Sequence, residues 1–141
     1  MDKPIIHYLE EQTCATVCCV DANGFPWCFS CFYAVDAKNN LLIFKSSAGS
    51  LHTQILNGNP IIAGTILPDK LNKLQIKGLQ FNGKIIDEND PLFENAAKIY
   101  LKRHPVSLAI SGNIYIIRLD QVKFTNNALG FGKKINWKRE N

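Results

Sequence analysis

Apolar and polar positions alternate over short stretches along most of this chain, and three stretches instead carry helical spacing. Residues 4–12 read as a short amphipathic helix, with Pro4 in its first turn and Ile5, Ile6 and Leu9 on one side. Residues 14–20 form a β-prone run. The Asp21-Ala-Asn-Gly24 segment then supplies a turn, because Asn-Gly tolerates positive φ. Residues 25–35 make an aromatic strand that is long for its class, 36–40 a second turn and 41–46 a third strand. Together these predict an antiparallel meander. Ser50 caps a short helix over 51–56, which Asn57-Gly58 ends. Residues 60–67 resume as a strand, 68–72 form a polar loop and 73–86 alternate over a long stretch, with Gly78 and Gly83 at bulge or bend positions. Asp90-Pro91 opens the clearest helix, an N-cap followed by proline, and His104-Pro105 stops it. Residues 114–119 and 122–125 supply the last strands.

About six short strands with helices at the start, middle and two-thirds point predict an α+β, mainly β domain built on a closed or split barrel. Strand and helix do not alternate regularly and no GxGxxG follows a strand, which argues against a Rossmann fold. A length of 141 residues suits one domain spanning 1–141, and 46% hydrophobic with 20% charged residues is an ordinary globular balance. No apolar run approaches the roughly 20 residues of a membrane span. The first residues are acidic where a signal peptide would be apolar, so the expectation is a cytoplasmic protein.

The net charge of +4 is modest, but Lys133, Lys134, Lys138 and Arg139 crowd the last ten positions. A solvated basic tail is the plain reading. Nucleic acid is disfavoured, because no basic stripe elsewhere continues the patch; a small anion needs only two or three cations. Cys14, Cys18, Cys19, Cys28 and Cys31 all lie in the first quarter. The odd count argues against a complete disulfide framework. The Cys28-Phe-Ser-Cys31 spacing lies in a strand-like run, where positions i and i+3 face opposite ways, so zinc is disfavoured and buried thiols are expected.

The densest chemistry lies in Phe44-Lys-Ser-Ser-Ala-Gly-Ser-Leu-His-Thr-Gln54, where a strand enters a Ser/Gly turn that opens a helix. First-turn N–H groups, serine hydroxyls and the flanking Lys45 and His52 can form an anion site; a serine-rich capped helix without a ligand is the alternative. This segment, with Asn23-Gly-Phe-Pro-Trp27, Cys31-Phe-Tyr-Ala-Val-Asp36 and Asn59-Pro-Ile-Ile-Ala-Gly-Thr-Ile66, resembles the pyridoxamine 5'-phosphate oxidase-like FMN-binding split barrels. Ile76-Lys-Gly-Leu-Gln-Phe-Asn-Gly83, Arg103-His-Pro-Val106, Ile117-Arg-Leu-Asp120 and residues 122–134 resemble the YhbP-like branch of that group.

The resemblance implies a six-stranded antiparallel split β-barrel with flanking helices, forming a homodimer with FMN at the interface. Lys45, Ser46, Ser47, Ser50 and His52 would hold the phosphate, with Gln54 behind them. Leu51 stands where the family carries a cation, so a bidentate guanidinium is missing from the phosphate shell. The ring system would lie along the strand carrying Trp27 and Ser30, with an amide from Gln80. Residues 131–137 would come from the partner, placing Lys133 or Lys134 near the phosphate or an anionic reduced flavin and Trp137 over the ring. Ordinary packing is the alternative for both tryptophans.

No catalytic acid or base stands out. Asp90 and Glu94 belong to a helix start, and His7 and His104 read as structural. A flavin carries its own redox chemistry, so the leading expectation is an FMN-dependent oxidoreductase acting on a small molecule. A non-catalytic flavin- or haem-binding module comes second. A small nucleic-acid-binding barrel comes last.

Overall fold

The computed structural model describes residues 1–129 and 133–140. The Asp21 carboxylate accepts the N–H groups of Asn23 (2.8 Å) and Phe25 (2.9 Å), and Gly24 takes a φ of +84°. That turn folds β1 (Cys14–Val20) onto β2 (Pro26–Asp36). A second turn, with Asn40 at φ +55°, returns the chain as β3 (Leu41–Ser46). β4 (Ile61–Ile66), β5 (Lys77–Ile85) and β6 (Asn113–Asn126) complete an antiparallel barrel in the order β3-β2-β1-β4-β5-β6, closed by pairing of β3 with β6. The expected six-stranded antiparallel barrel with flanking helices is what the chain builds.

α1 (Lys3–Glu11) inserts Ile5, Tyr8 and Leu9 into the barrel core beside Val17, Phe44, Leu79, Phe81 and Phe124. Tyr8 donates its hydroxyl to Ile66 O (3.1 Å) and Tyr33 donates to Leu9 O (2.8 Å), so neither buried hydroxyl is left unpaired. Burial pushes both phenols far above their usual range. α2 (Leu51–Gly58) places Leu56 in the same core. α3 (Ala96–Arg103) covers the outside of the barrel, where Ala96 and Tyr100 bury Leu41, Ile43 and Ile116. β3 is therefore covered on both faces, which explains its unbroken Leu-Leu-Ile-Phe run.

Four expectations are corrected here. The helix after Asp90 is broken: Asp90 Oδ1 does accept Leu92 N (2.9 Å), but a 3-10 turn at Pro91–Phe93 precedes α3. The last two predicted strands are one strand, β6, and residues 73–76 lie outside β5. Cys18 and Cys28 face each other across β1 and β2 and form a disulfide, where buried thiols were expected. Cys14 is exposed; Cys19 is buried and Cys31 half-buried, and desolvation pushes the Cys31 thiol up to about 12. The basic tail, finally, is a strand, with its lysines still exposed to solvent.

That strand is β7 (Lys134–Lys138), paired with residues 121–125 of β6 in the same chain. β6 is long enough to give one edge first to β3 and then to β7. Arg139, just beyond, donates to Leu119 O (2.8 Å), Asn39 O and Asn40 O (3.0 Å each), tying the tail to the β2–β3 turn. Among the described residues no helix is long and apolar enough to cross a membrane.

Candidate functional site

The corner between β3 and α2 gathers Ser46, Ser47, Ser50, His52 and Gln54. Ser50 occupies the N-cap position, yet its hydroxyl takes none of the helix's first N–H groups. It donates instead to Ser47 O (2.8 Å) and lies 3.2 Å from His52 Nε2. The capping expected from sequence is therefore not made, and the first-turn N–H groups of α2 keep their capacity to bind an anion. Ser46 Oγ lies 2.7 Å from His52 Nε2, so two hydroxyls converge on one ring nitrogen. Ser47 Oγ accepts Gly49 N (3.3 Å), and Gln54 Nε2 donates to Gly49 O (3.4 Å).

Two residues that sequence reasoning passed over hold this corner together. Thr53 is fully buried, its Oγ1 3.0 Å from Ser47 O, 3.0 Å from Ala48 O and 2.8 Å from Ser50 O. Phe29 stacks on the His52 ring, with centroids 3.8 Å apart and planes 11° from parallel. The clue to Phe29 was strand alternation: it shares a face with Trp27, two residues away. Nothing in the sequence marked Thr53, because a threonine in a helix's first turn is common and its role depends on a turn folding back over it. Leu51 is half-exposed beside the serines and offers them no charge.

Lys45 is used differently from the expectation. Its ammonium donates to the carbonyls of Ser107 (2.8 Å) and Ile110, so its charge holds the 105–110 turn against β3. Gly112, at φ +147°, lets the chain pass with only 3.0 Å between a hypothetical Cβ and Ser46 O.

Burial lowers the His52 pKa. A group that resists protonation when folded costs stability once the unfolded chain takes up its proton. The protein is thus expected to keep its full stability above about pH 6.5 and to lose some as pH falls below that value. Urea unfolding of the wild type and His52→Gln between pH 7.5 and 5 checks this: the wild-type slope should be steeper. Identical slopes would remove His52 from the account.

The remaining predicted residues lie elsewhere. Ser30 and Gln80 share one row on the barrel's outer face, through Thr16 and Thr65, and the row continues to Lys123 and Asn136. Ser30 Oγ and Thr16 Oγ1 are 3.3 Å apart. Trp27 is on the inward face at the β1–β2 end, 47% exposed. Lys134 projects outward from β7, Lys133 precedes that strand, and Trp137 faces the core with the Arg139 guanidinium 5.6 Å from its ring centre. Residues 131 and 132 of the proposed partner-derived run lie outside the described residues. Among the described residues, no hydrogen bond or ion pair links Lys133, Lys134 or Trp137 to the Lys45–Gln54 corner. One chain thus joins the phosphate-shell serines, His52 and the Trp27 side of β2, but not the outer row or the tail. No group of three or more metal-ligating side chains gathers among the described residues.

No protein-family model matches the chain. Individual relatives do. The UPF0306 protein plu4501 of Photorhabdus laumondii is 38% identical over 136 residues, spanning 96% of this chain and 94% of its own. The chain belongs to the UPF0306 family. Another member, YhbP of Salmonella paratyphi A, is 37% identical over 122 residues, covering 86% of this chain and 83% of its own. Solved structures share the UPF0306 barrel at lower identity. A haem-binding protein from Mycobacterium smegmatis superposes with a TM-score of 0.77 and 13% identity over 93% of this chain, which spans 55% of that protein. HutZ, a haem storage protein from Vibrio cholerae, gives 0.64 and 14% over 97% of this chain and 93% of its own. A FAD-binding protein from Mesorhizobium loti gives 0.64 and 15% over 86% and 92%. At these identities the likeness is one of fold.

Proposed function

We propose that this UPF0306 member binds FMN at the β3–α2 corner, in a homodimer with the cofactor between subunits, and acts as a flavin-dependent oxidoreductase on a small molecule. The observation that carries the reading is the uncapped start of α2, ringed by the Ser46, Ser47 and Ser50 hydroxyls beside the stacked His52–Phe29 pair. This donor set fits a phosphate: neutral hydroxyls and backbone N–H groups supply the hydrogen bonds that Leu51 cannot. Trp27, on the Phe29 face, supplies a flat apolar surface for a ring. FMN, when bound, provides the electron-transfer chemistry itself. The chain's part is to fix the phosphate through Ser46, Ser50 and the helix start, and to hold His52 neutral and oriented. Phe25, Phe32 and Ile61 are each more than half exposed, apolar side chains that a second copy would cover.

The haem-related neighbours favour one second reading, a haem-binding module. His52 is the imidazole in this corner, and its Nε2 is already held by Ser46 and Ser50. A haem would need that nitrogen released, so the flavin reading stands first. The purified protein is expected to show flavin bands, or to quench added FMN fluorescence, without a Soret band. The Ser46→Ala/Ser50→Ala variant should bind FMN about tenfold or more weakly. Colourless protein giving neither quenching nor a thermal shift with FMN would overturn the proposal.

A further inference from the structure

Pairing of β7 with β6 brings together charges that are far apart in sequence. Lys134 and Lys138 point outward from β7 on either side of Asn136, and Asn136 lies directly opposite Lys123 of β6. Lys123 is therefore the diagonal neighbour of both, at the roughly 7–8 Å spacing of such pairs. All three lysines are exposed. None of them reaches a carboxylate within ion-pairing distance among the described residues. Asp120, adjacent in β6, is taken by Arg118 (2.9 Å) and Arg139 (3.9 Å). The expectation that no basic surface continues the tail's charge is thereby corrected: Lys123 continues it.

The same face carries a row of amides. Gln80 and Asn82 of β5, Gln121 of β6 and Asn136 of β7 share it by register, and Asn82 Nδ2 donates to Gln121 Oε1 (3.1 Å). These strands form a groove of about 510 Å³ that includes Gln80, Asn82, Lys123, Asn136 and Lys138, and no carboxylate lines it.

We propose that this outer groove binds a small ligand carrying two or more phosphate or carboxylate groups. Like charges on neighbouring strands repel, and among the described residues no carboxylate pairs with them. A multiply charged anion removes that repulsion and finds amide donors between the cations. Size sets the class. Lys123 and Lys138 line the groove and Lys134 lies just beyond it, about 13 Å along the strand from Lys138, so two or more anionic groups match the cations available. The groove's volume is that of a small-molecule site. The groove shares no residue with the β3–α2 corner, while Gln80 and Trp137, which line it, are residues that the family resemblance places against the flavin ring.

The test is titration calorimetry of the full chain at low salt with pyrophosphate, citrate and, as the monovalent-group control, inorganic phosphate. Pyrophosphate or citrate is expected to bind at least tenfold more tightly than phosphate, and to weaken as salt shortens the screening length. The Lys134→Gln/Lys138→Gln variant should lose at least tenfold in affinity with an unchanged melting temperature and sedimentation coefficient. Lys98→Gln/Lys102→Gln, on α3, should bind as wild type. Ser46→Ala/Ser50→Ala should leave pyrophosphate binding intact, which separates this groove from the flavin corner. The proposal is overturned if neither probe binds or if the β7 variant binds as wild type. A variant that changes oligomeric state, or that loses FMN along with pyrophosphate, would assign the lysines to an interface or to the flavin phosphate. Much tighter, steeply salt-dependent binding of an oligothymidylate would overturn the small-ligand class in favour of a polyanion.

Discussion

Adding one methyl group at position 83 is expected to remove most of the protein's stability. Gly83 lies where β5 and β6 change register: Asn82 pairs with Gln121, but Gly83 pairs with Leu119, leaving Asp120 without a partner on β5. The shift draws the two backbones so close that a Cβ on residue 83 would sit 2.1 Å from Arg118 O, 3.0 Å from Arg118 C and 3.3 Å from Leu119 Cα. All three are backbone atoms of a strand paired on both edges, so none can rotate away. Relief requires sliding β6, which also carries β7 and the inward Leu119 and Val122. Gly83→Ala should therefore destabilise by about 3 kcal/mol or more, overriding the ~0.5–1 kcal/mol that replacing a strand glycine would otherwise gain. Gly78→Ala is the control, since the nearest atoms there, at 3.5 and 3.6 Å, are at ordinary contact distance. Urea unfolding of both variants checks this, and a Gly83→Ala midpoint matching that of Gly78→Ala would refute the account.

Arg139→Met should cost about 2–3 kcal/mol, because three backbone carbonyls lose a charged donor while the apolar stem is kept. Leu119 O, Asn39 O and Asn40 O converge on one guanidinium from two separate elements, β6 and the β2–β3 turn. Asn40 O also accepts the Leu119 N–H (3.3 Å), whereas the guanidinium is what joins it to Asn39 O and Leu119 O. At this chain length the loss corresponds to a fall in melting temperature of about 6–12 °C. Lysine should not restore it, since one ammonium cannot reproduce the guanidinium's planar fork across the three acceptors. Faster amide exchange in β7, with the barrel strands unchanged, is the specific signature. Arg139→Lys melting with the wild type would show that charge alone is enough.

Several features were legible from residue pattern. β1 and β3 begin and end where alternation and turn chemistry place them, because Asp21, Asn23 and Gly24 make the first turn from atoms within five residues. The Asp90 cap was legible for the same reason, since donor and acceptor are two residues apart. The continuous helix after it was not found: helical spacing persists through Glu94 and Asn95, but spacing alone does not distinguish a 3-10 turn from an α-turn. For the candidate site, the Ser46–Ser50 turn and His52 could be named from sequence. The stacking of Phe29 on His52 could not, because it joins a strand and a helix that are far apart in sequence.

Local chemistry in the sequence determined the turns, the strand and helix segments and the serine-rich helix start, and from these the barrel class. Contacts closed across the chain were left to the tertiary structure. It paired Cys18 with Cys28, turned Lys45 toward the 105–110 carbonyls, made the basic tail a seventh strand and set Lys123 between Lys134 and Lys138. The physical reason is the same for the three that lie across the sheet. An alternating pattern states that a residue faces in or out, whereas its neighbour across the sheet depends on register, and register is settled only when all the strands pair at once.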